Sequence, residues 1–132
     1  MLPAAFKGKH TAGSALYFMV TQTRRVILHK IHSDQMFHFY FGSPLEVLLL
    51  YPDGHSDIKI LGHDLASGMT PQLFIPANTF HTCKILGDGE YALLATSEWI
   101  SVDPKEDVVR GDISALMQTY PDRKNDLSRF TD

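Results

Sequence analysis

The sequence has 132 residues, about one domain's worth of chain. Twelve Lys and Arg against fifteen Asp and Glu give a net charge of −3, with 44% hydrophobic and 20% charged residues, which excludes an acidic disordered chain. No block of basic residues marks a nucleic-acid polymer as partner, and the longest apolar run, around Val47 and Leu50, falls far short of the ~20 residues that span a membrane.

Positions 1–9 hold no apolar stretch of the secretory kind, and Cys83 is the single cysteine, so a cytoplasmic location is expected. From about residue 14 the chain reads as short runs of β-branched and aromatic residues with no sustained helical period. Strands are predicted at 15–20, 26–31, 36–41, 45–51, 57–61, 72–75, 79–85 and 91–100. Gly42, Pro44, Gly54, Asn78 and Gly87 punctuate them, supplying the fixed φ of Pro and the positive φ that Gly and Asn tolerate. An all-β jelly-roll barrel closing on itself is expected, with a sandwich as the alternative. The apolar strand 45–51 invites edge pairing, which a dimer would cover. Near the C-terminus Asp112 is positioned to cap a helix over about 112–120, whose Ile113, Leu116, Met117 and Tyr120 share one face, and Pro121 ends it. The polar tail at 122–132 is expected to fray. The whole chain, 1–132, reads as one domain with its barrel core at about 14–101.

Seven histidines is a high number for this length, and His29, His32 and His38 lie within ten positions of one another. His29, Ile31, Gln35 and Gly42 fall at the offsets of a pattern H-x-H-x3-E-x6-G, while Pro76, Asn78 and His81 fall on P-x-G-x2-H. These are the two motifs of the cupin superfamily, and the chain resembles it. The segment SDQMFHFYFGSPLE at 33–46 is similar to the S-D-E-x-W-H-x-Y-x-G-x-P-L-E segment of the uncharacterised cupin-five branch of RmlC-like proteins. SALYF at 14–18, IPANTFH at 75–81 and Leu116 with Tyr120 and Pro121 match further motifs of that branch, in order. The resemblance spans about residues 12–121. It implies a small cupin jelly-roll barrel, usually a homodimer, with a pocket in the barrel mouth, and it implies no particular reaction.

The departures bear on chemistry. Metal-binding cupins supply three histidines and a carboxylate at the motif positions; here Ile31 and Gln35 replace one histidine and the carboxylate. His29, Gln35 and His81 are then the only candidate metal ligands, and an uncharged amide binds a transition metal weakly, so no cofactor is expected beyond a divalent ion at a degraded site. Members of the branch also carry a Pro-Glu-Gly-Gly segment ahead of the barrel, which this sequence lacks, so a piece of pocket wall is expected to be missing.

Alternation from Gln35 directs Phe37 and Phe39 inward and His38 and Tyr40 outward. The ligand-binding candidates are His29, Gln35, Phe37, Phe39, His81 and Cys83; Phe74, Phe80 and Trp99 are further candidates for an aromatic wall. For acid-base chemistry the candidates are His29, His81 and Tyr17. Three readings follow. One is a small-molecule-binding cupin holding a sugar, nucleotide or similar polar metabolite. Another is an enzyme, either a metal-free isomerase or epimerase of sugar nucleotides or a weakly metal-dependent one. The last is a non-catalytic dimeric interaction module whose pocket is plugged by Phe37 and Phe39.

Overall fold

A computed structural model describes residues 10–132; the N-terminal expectation for 1–9 lies outside the described residues. Among the described residues nine strands form two antiparallel sheets. The strands are β1 (Ser14–Thr21), β2 (His29–Ile31), β3 (Asp34–Gly42), β4 (Leu45–Leu50), β5 (Ser56–Leu61), β6 (Gln72–Ile75), β7 (Phe80–Ile85), β8 (Tyr91–Trp99) and β9 (Val108–Arg110). The four-stranded sheet runs β1-β8-β3-β6 and the five-stranded one β5-β4-β7-β2-β9. All eight predicted strands are present, although only His29–Ile31 of the second is paired, and β9 adds a strand that sequence patterning had not suggested.

The main core lies between the sheets. Phe37, Leu73, Ile75 and Leu94 of one sheet pack against Leu45, Val47, Leu49, Cys83 and Ile85 of the other. In β3, Gln35, Phe37 and Phe39 are buried while Asp34 and Tyr40 are exposed, as period-two alternation requires until a bulge shifts the register between Phe39 and Phe41. Gly42 then turns with φ 97°; a Cβ there would sit 2.2 Å from the carbonyl oxygen of Tyr91, so the chain crossing tolerates no side chain.

A second core forms outside the five-stranded sheet. Two short helices, α1 (Ile113–Thr119) and α2 (Lys124–Thr131), lay Leu116, Leu127 and Phe130 over Leu28, Leu48 and Leu50. Asp112 caps α1 by accepting from the amide of Ala115 at 3.1 Å, and Tyr120 closes it, its hydroxyl donating to the carbonyl of Tyr51. This corrects the expectation for the tail. Leu127 and Phe130 lie three residues apart on one face of α2, and burying them outweighs the polarity of their neighbours.

It also corrects the reading of β4. That strand lies between β5 and β7 and is covered on both faces, so its unbroken Leu-Val-Leu run reflects double burial and not a free edge. Glu46, on the helix side, pairs with Arg129 at 2.7 Å. No helix among the described residues is long and apolar enough to cross a membrane. Leu127→Ala is expected to destabilise the fold by about 2–5 kcal/mol in urea unfolding, as loss of a buried leucine in a packed site does. A loss below about 0.5 kcal/mol, the range of ordinary surface substitutions, would show that the tail frays after all.

Candidate functional site in the barrel mouth

Two rows of side chains face each other across the barrel. In the five-stranded sheet the register sets Leu49 opposite His81 and His81 opposite His29. In the four-stranded sheet Ser14, Glu98, Gln35 and Ile75 stand in register across β1, β8, β3 and β6. Directly opposed residues of antiparallel strands share a face, so each row presents its polar groups inward. Asn78, at the glycine position of the second motif, adopts φ 65° at the corner that delivers His81 into β7.

Hydrogen bonds fix the orientation of these groups. His81 Nδ1 donates to the carbonyl of Thr79 at 2.9 Å, which leaves Nε2 as an acceptor. The Thr96 hydroxyl donates to Gln35 Oε1 at 3.2 Å, turning the Gln35 amide nitrogen toward His81 Nε2, 3.3 Å away. His29 Nδ1 donates to the carbonyl of Ile27 at 2.5 Å, so its Nε2 keeps a lone pair with no hydrogen-bond partner among the described residues. The two imidazoles lie 4.4 Å apart between ring centres, and Phe37 meets His81 edge-on at 5.7 Å.

Burial pushes the His81 pKa down to about 3, with the neighbouring His29 adding to the effect. Desolvation lowers His29 as well, against its hydrogen bond to Ile27. Both rings are therefore neutral at physiological pH. They line an inner chamber of about 200 Å³ together with Gln35, Phe37, Thr96 and Glu98. His29 also lines an outer chamber of about 620 Å³, whose walls include Phe18, Val26 and Val108. The segment carrying Val102, Pro104, Lys105 and Val108 lines these chambers.

The structure thus brings together His29, His81, Gln35 and Phe37. The other candidates lie elsewhere. Tyr17 is 73% exposed on the outer face of the four-stranded sheet, edge-on to Tyr40, because odd positions of β1 point away from the barrel. Phe39 packs deeper in the core with its ring against His63, and Cys83 is wholly buried, its thiol pushed up to about 12 by desolvation. Phe74 and Trp99 are about half exposed on the outer sheet face, and Phe80 packs on the helix side of the other sheet. His38 also faces outward, bonded to Ser97 at 2.8 Å. Thr96 and Glu98 were missed, though alternation along β8 from Leu94 would have found both.

The donor set does not suit a tightly held metal. Gln35 presents its N–H to His81 and uses its oxygen toward Thr96, and the His81 lone pair is already engaged. Among the described residues no three His, Cys, Asp or Glu side chains stand together as a ligand set.

The family model described as Cupin_5, Cupin superfamily (DUF985), matches residues 2–98. The chain belongs to this cupin family. No functionally curated protein matches its sequence. Among solved structures, protein SO0799 from Shewanella oneidensis is similar at 24% identity and a TM-score of 0.84, over 98% of this chain and 80% of that one. A hypothetical protein from Leishmania major shares 19% identity over 90% of this chain and 76% of its own, with a TM-score of 0.81. A dTDP sugar isomerase from Desulfovibrio desulfuricans is similar at 20% identity and a TM-score of 0.63, over 85% of this chain and 72% of that one. At these identities the likeness shows the cupin fold.

Neutral buried histidines make stability depend on pH. Below about pH 6.5 the unfolded chain takes up protons that the folded one refuses. Stability is then complete above that value and declines as pH falls toward about 3, where His81 itself protonates. The expected slope approaches 1.4 kcal/mol per pH unit for each excluded proton, roughly. Urea unfolding at a series of acid pH values measures it, and His81→Gln should flatten the curve. An identical slope in that variant would show that His81 is not the group responsible.

Proposed function

We propose that this cupin binds a small polar metabolite in the barrel-mouth pocket, against His29, His81 and Gln35, without a tightly bound metal. The observation that carries this reading is the chain of bonds from Thr96 through Gln35 to His81. It fixes the Gln35 amide against His81 at a chamber that Phe37 leaves open, and beside it His29, held by Ile27, turns a free Nε2 lone pair to the same chamber. Such a site offers fixed donors and acceptors within an apolar wall, which is how organic ligands are held. A sugar or nucleotide fits the mixture of aromatic and hydrogen-bonding surface. Phe37 and Phe39 do not fill the chamber, which weighs against a purely vestigial pocket.

Acid-base catalysis is the second reading, favoured by one observation. His29 is neutral, its Nδ1 is fixed by Ile27, and its Nε2 is free to take a proton within the same chamber as the Glu98 carboxylate. The dTDP sugar isomerase of similar fold makes sugar nucleotides the first substrates to assay. We further read the chain as cytosolic, which its lone buried Cys83 suits, and as a homodimer. The outer face of the four-stranded sheet exposes Tyr17, Met19, Phe41, Phe74 and Trp99, with Tyr40 and Leu93 between them. A face this apolar and poor in charge meets a copy of itself without repulsion, as a two-fold contact requires.

Native mass spectrometry of untagged protein reads metal, retained ligand and oligomeric state together. We expect a dimer without stoichiometric metal; one divalent ion per chain would overturn the metal-free reading. In a metabolite screen, His29→Ala and Gln35→Leu should each weaken ligand binding by about tenfold or more, the equivalent of one well-made hydrogen bond. Unchanged affinity in both variants would remove the pocket from consideration. Phe41→Glu should shift sedimentation from dimer to monomer, and a dimer that persists in this variant would place its interface elsewhere.

A further inference from the structure

The row of the five-stranded sheet does not end at His29. The β2–β9 register sets Arg110 directly opposite His29, so His81, His29 and Arg110 share one face of three neighbouring strands. Opposed Cβ atoms in such pairs lie about 5 Å apart. The row runs from fully buried His81 through half-buried His29 to exposed Arg110 on the edge strand. It ends at the outer chamber, which shares Phe18, Val26, His29 and Val108 with the inner one.

Arg110 lines that outer chamber with Arg25 and Lys105, so three cations surround the mouth of a pocket in a chain of net charge −3. Neither Arg110 nor Lys105 forms an ion pair among the described residues, while Arg25 Nη1 donates to a main-chain oxygen of Asp132 at 3.2 Å. Asp132 shares a neighbouring hollow with Arg25 and Arg110, outside the lining of the outer chamber, and the acids on the segment that walls the chamber accept from other groups. Asp103 accepts from the amide of Lys105 at 2.9 Å; Asp107 accepts from the amide of Asp103 at 2.7 Å and from His10 at 2.6 Å. Glu98 lies in the inner chamber, where it accepts from Ser14 at 2.6 Å. The charge along the pocket is thus polarised, with acceptors at the base and cations at the mouth.

We propose that the mouth is an anion subsite, and that the metabolite carries a phosphate or carboxylate group held there by Arg110 and Arg25 with Lys105 beside them. A guanidinium at the edge of an apolar-walled chamber binds an oxyanion through paired N–H donors, which a hydrated ammonium does less well. The uncharged remainder of the ligand, rich in hydroxyl groups, extends past His29 to the acceptors of the inner chamber. This inference builds on the pocket being a binding site, yet it concerns different residues.

Side-chain NMR of the arginines and histidines, titrated with inorganic phosphate and separately with acetate at constant ionic strength, tests it. Saturable shifts at Arg110 and His29 with phosphate, acetate or both are expected, and which anion gives them tells a phosphate from a carboxylate subsite. Arg110→Ala and Arg110→Gln should each weaken that anion's affinity by about tenfold, the loss of one charge-assisted pair, and Arg110→Lys should recover part of it. No saturable shift at Arg110 with either anion, or unchanged affinity in both neutral variants, would overturn the subsite. Metabolite binding that His29→Ala abolishes would then still support the pocket reading. Conversely, an anion bound at Arg110 alongside metabolite affinity that is insensitive to His29→Ala and Gln35→Leu would keep the subsite and remove the inner chamber.

Discussion

The pocket depends on one constraint, that a histidine wholly enclosed by an apolar barrel has to remain uncharged and yet find partners for both ring nitrogens. His81 meets it with the Thr79 carbonyl on one side and the Gln35 amide on the other. Gln35 in turn is oriented by Thr96, so three strands and one corner fix a single arrangement. An unpartnered polar atom at this depth would carry a desolvation cost of about 1–3 kcal/mol, which is why the network is complete around His81. A carboxylate in place of Gln35 would favour a cation here; the amide favours a neutral imidazole and directs its own N–H at the ring.

The second sheet face shows how the same chain manages its apolar surface. The five-stranded sheet is covered by α1 and α2, whose Leu127 and Phe130 close over Leu48 and Leu50. Among the described residues nothing covers the four-stranded sheet in this way, and Tyr17, Phe41, Phe74 and Trp99 are exposed. The asymmetry separates two features in space. The pocket lies at the barrel mouth, lined in part by Pro104, Lys105, Val108 and Arg110, while the outer apolar face lies on another side.

Much of the architecture was legible because its signals are local. Period-two alternation through Gln35, Phe37 and Phe39 needs only the pleat of one strand, and Asn78 at a glycine position needs only a left-handed corner. The same alternation along β8 would have given Thr96 and Glu98. Where burial came from both sides, the pattern misled. Leu45 to Leu50 reads as an exposed edge only if nothing covers its outer face, and α2 was hidden in a tail whose average polarity conceals two aligned apolar residues. Cys83 shows the limit of parity: position along a strand says which face a side chain takes, and not how near it comes to the mouth, whereas Tyr17 lies on the outer face that the parity of β1 gives it.

The sequence by itself determined the cupin motifs, with Ile31 and Gln35 at two of their ligand positions, and the strand content, since residue type decides the first and local runs of β-branched and aromatic residues decide the second. Tertiary structure decided which groups share a chamber. Arg110 lies far along the chain from His29, in a three-residue strand without a clear pattern, and only strand pairing places it opposite. Register between distant segments is set by the packing of the whole barrel, so the charge at the pocket mouth could be read only once the sheets had formed.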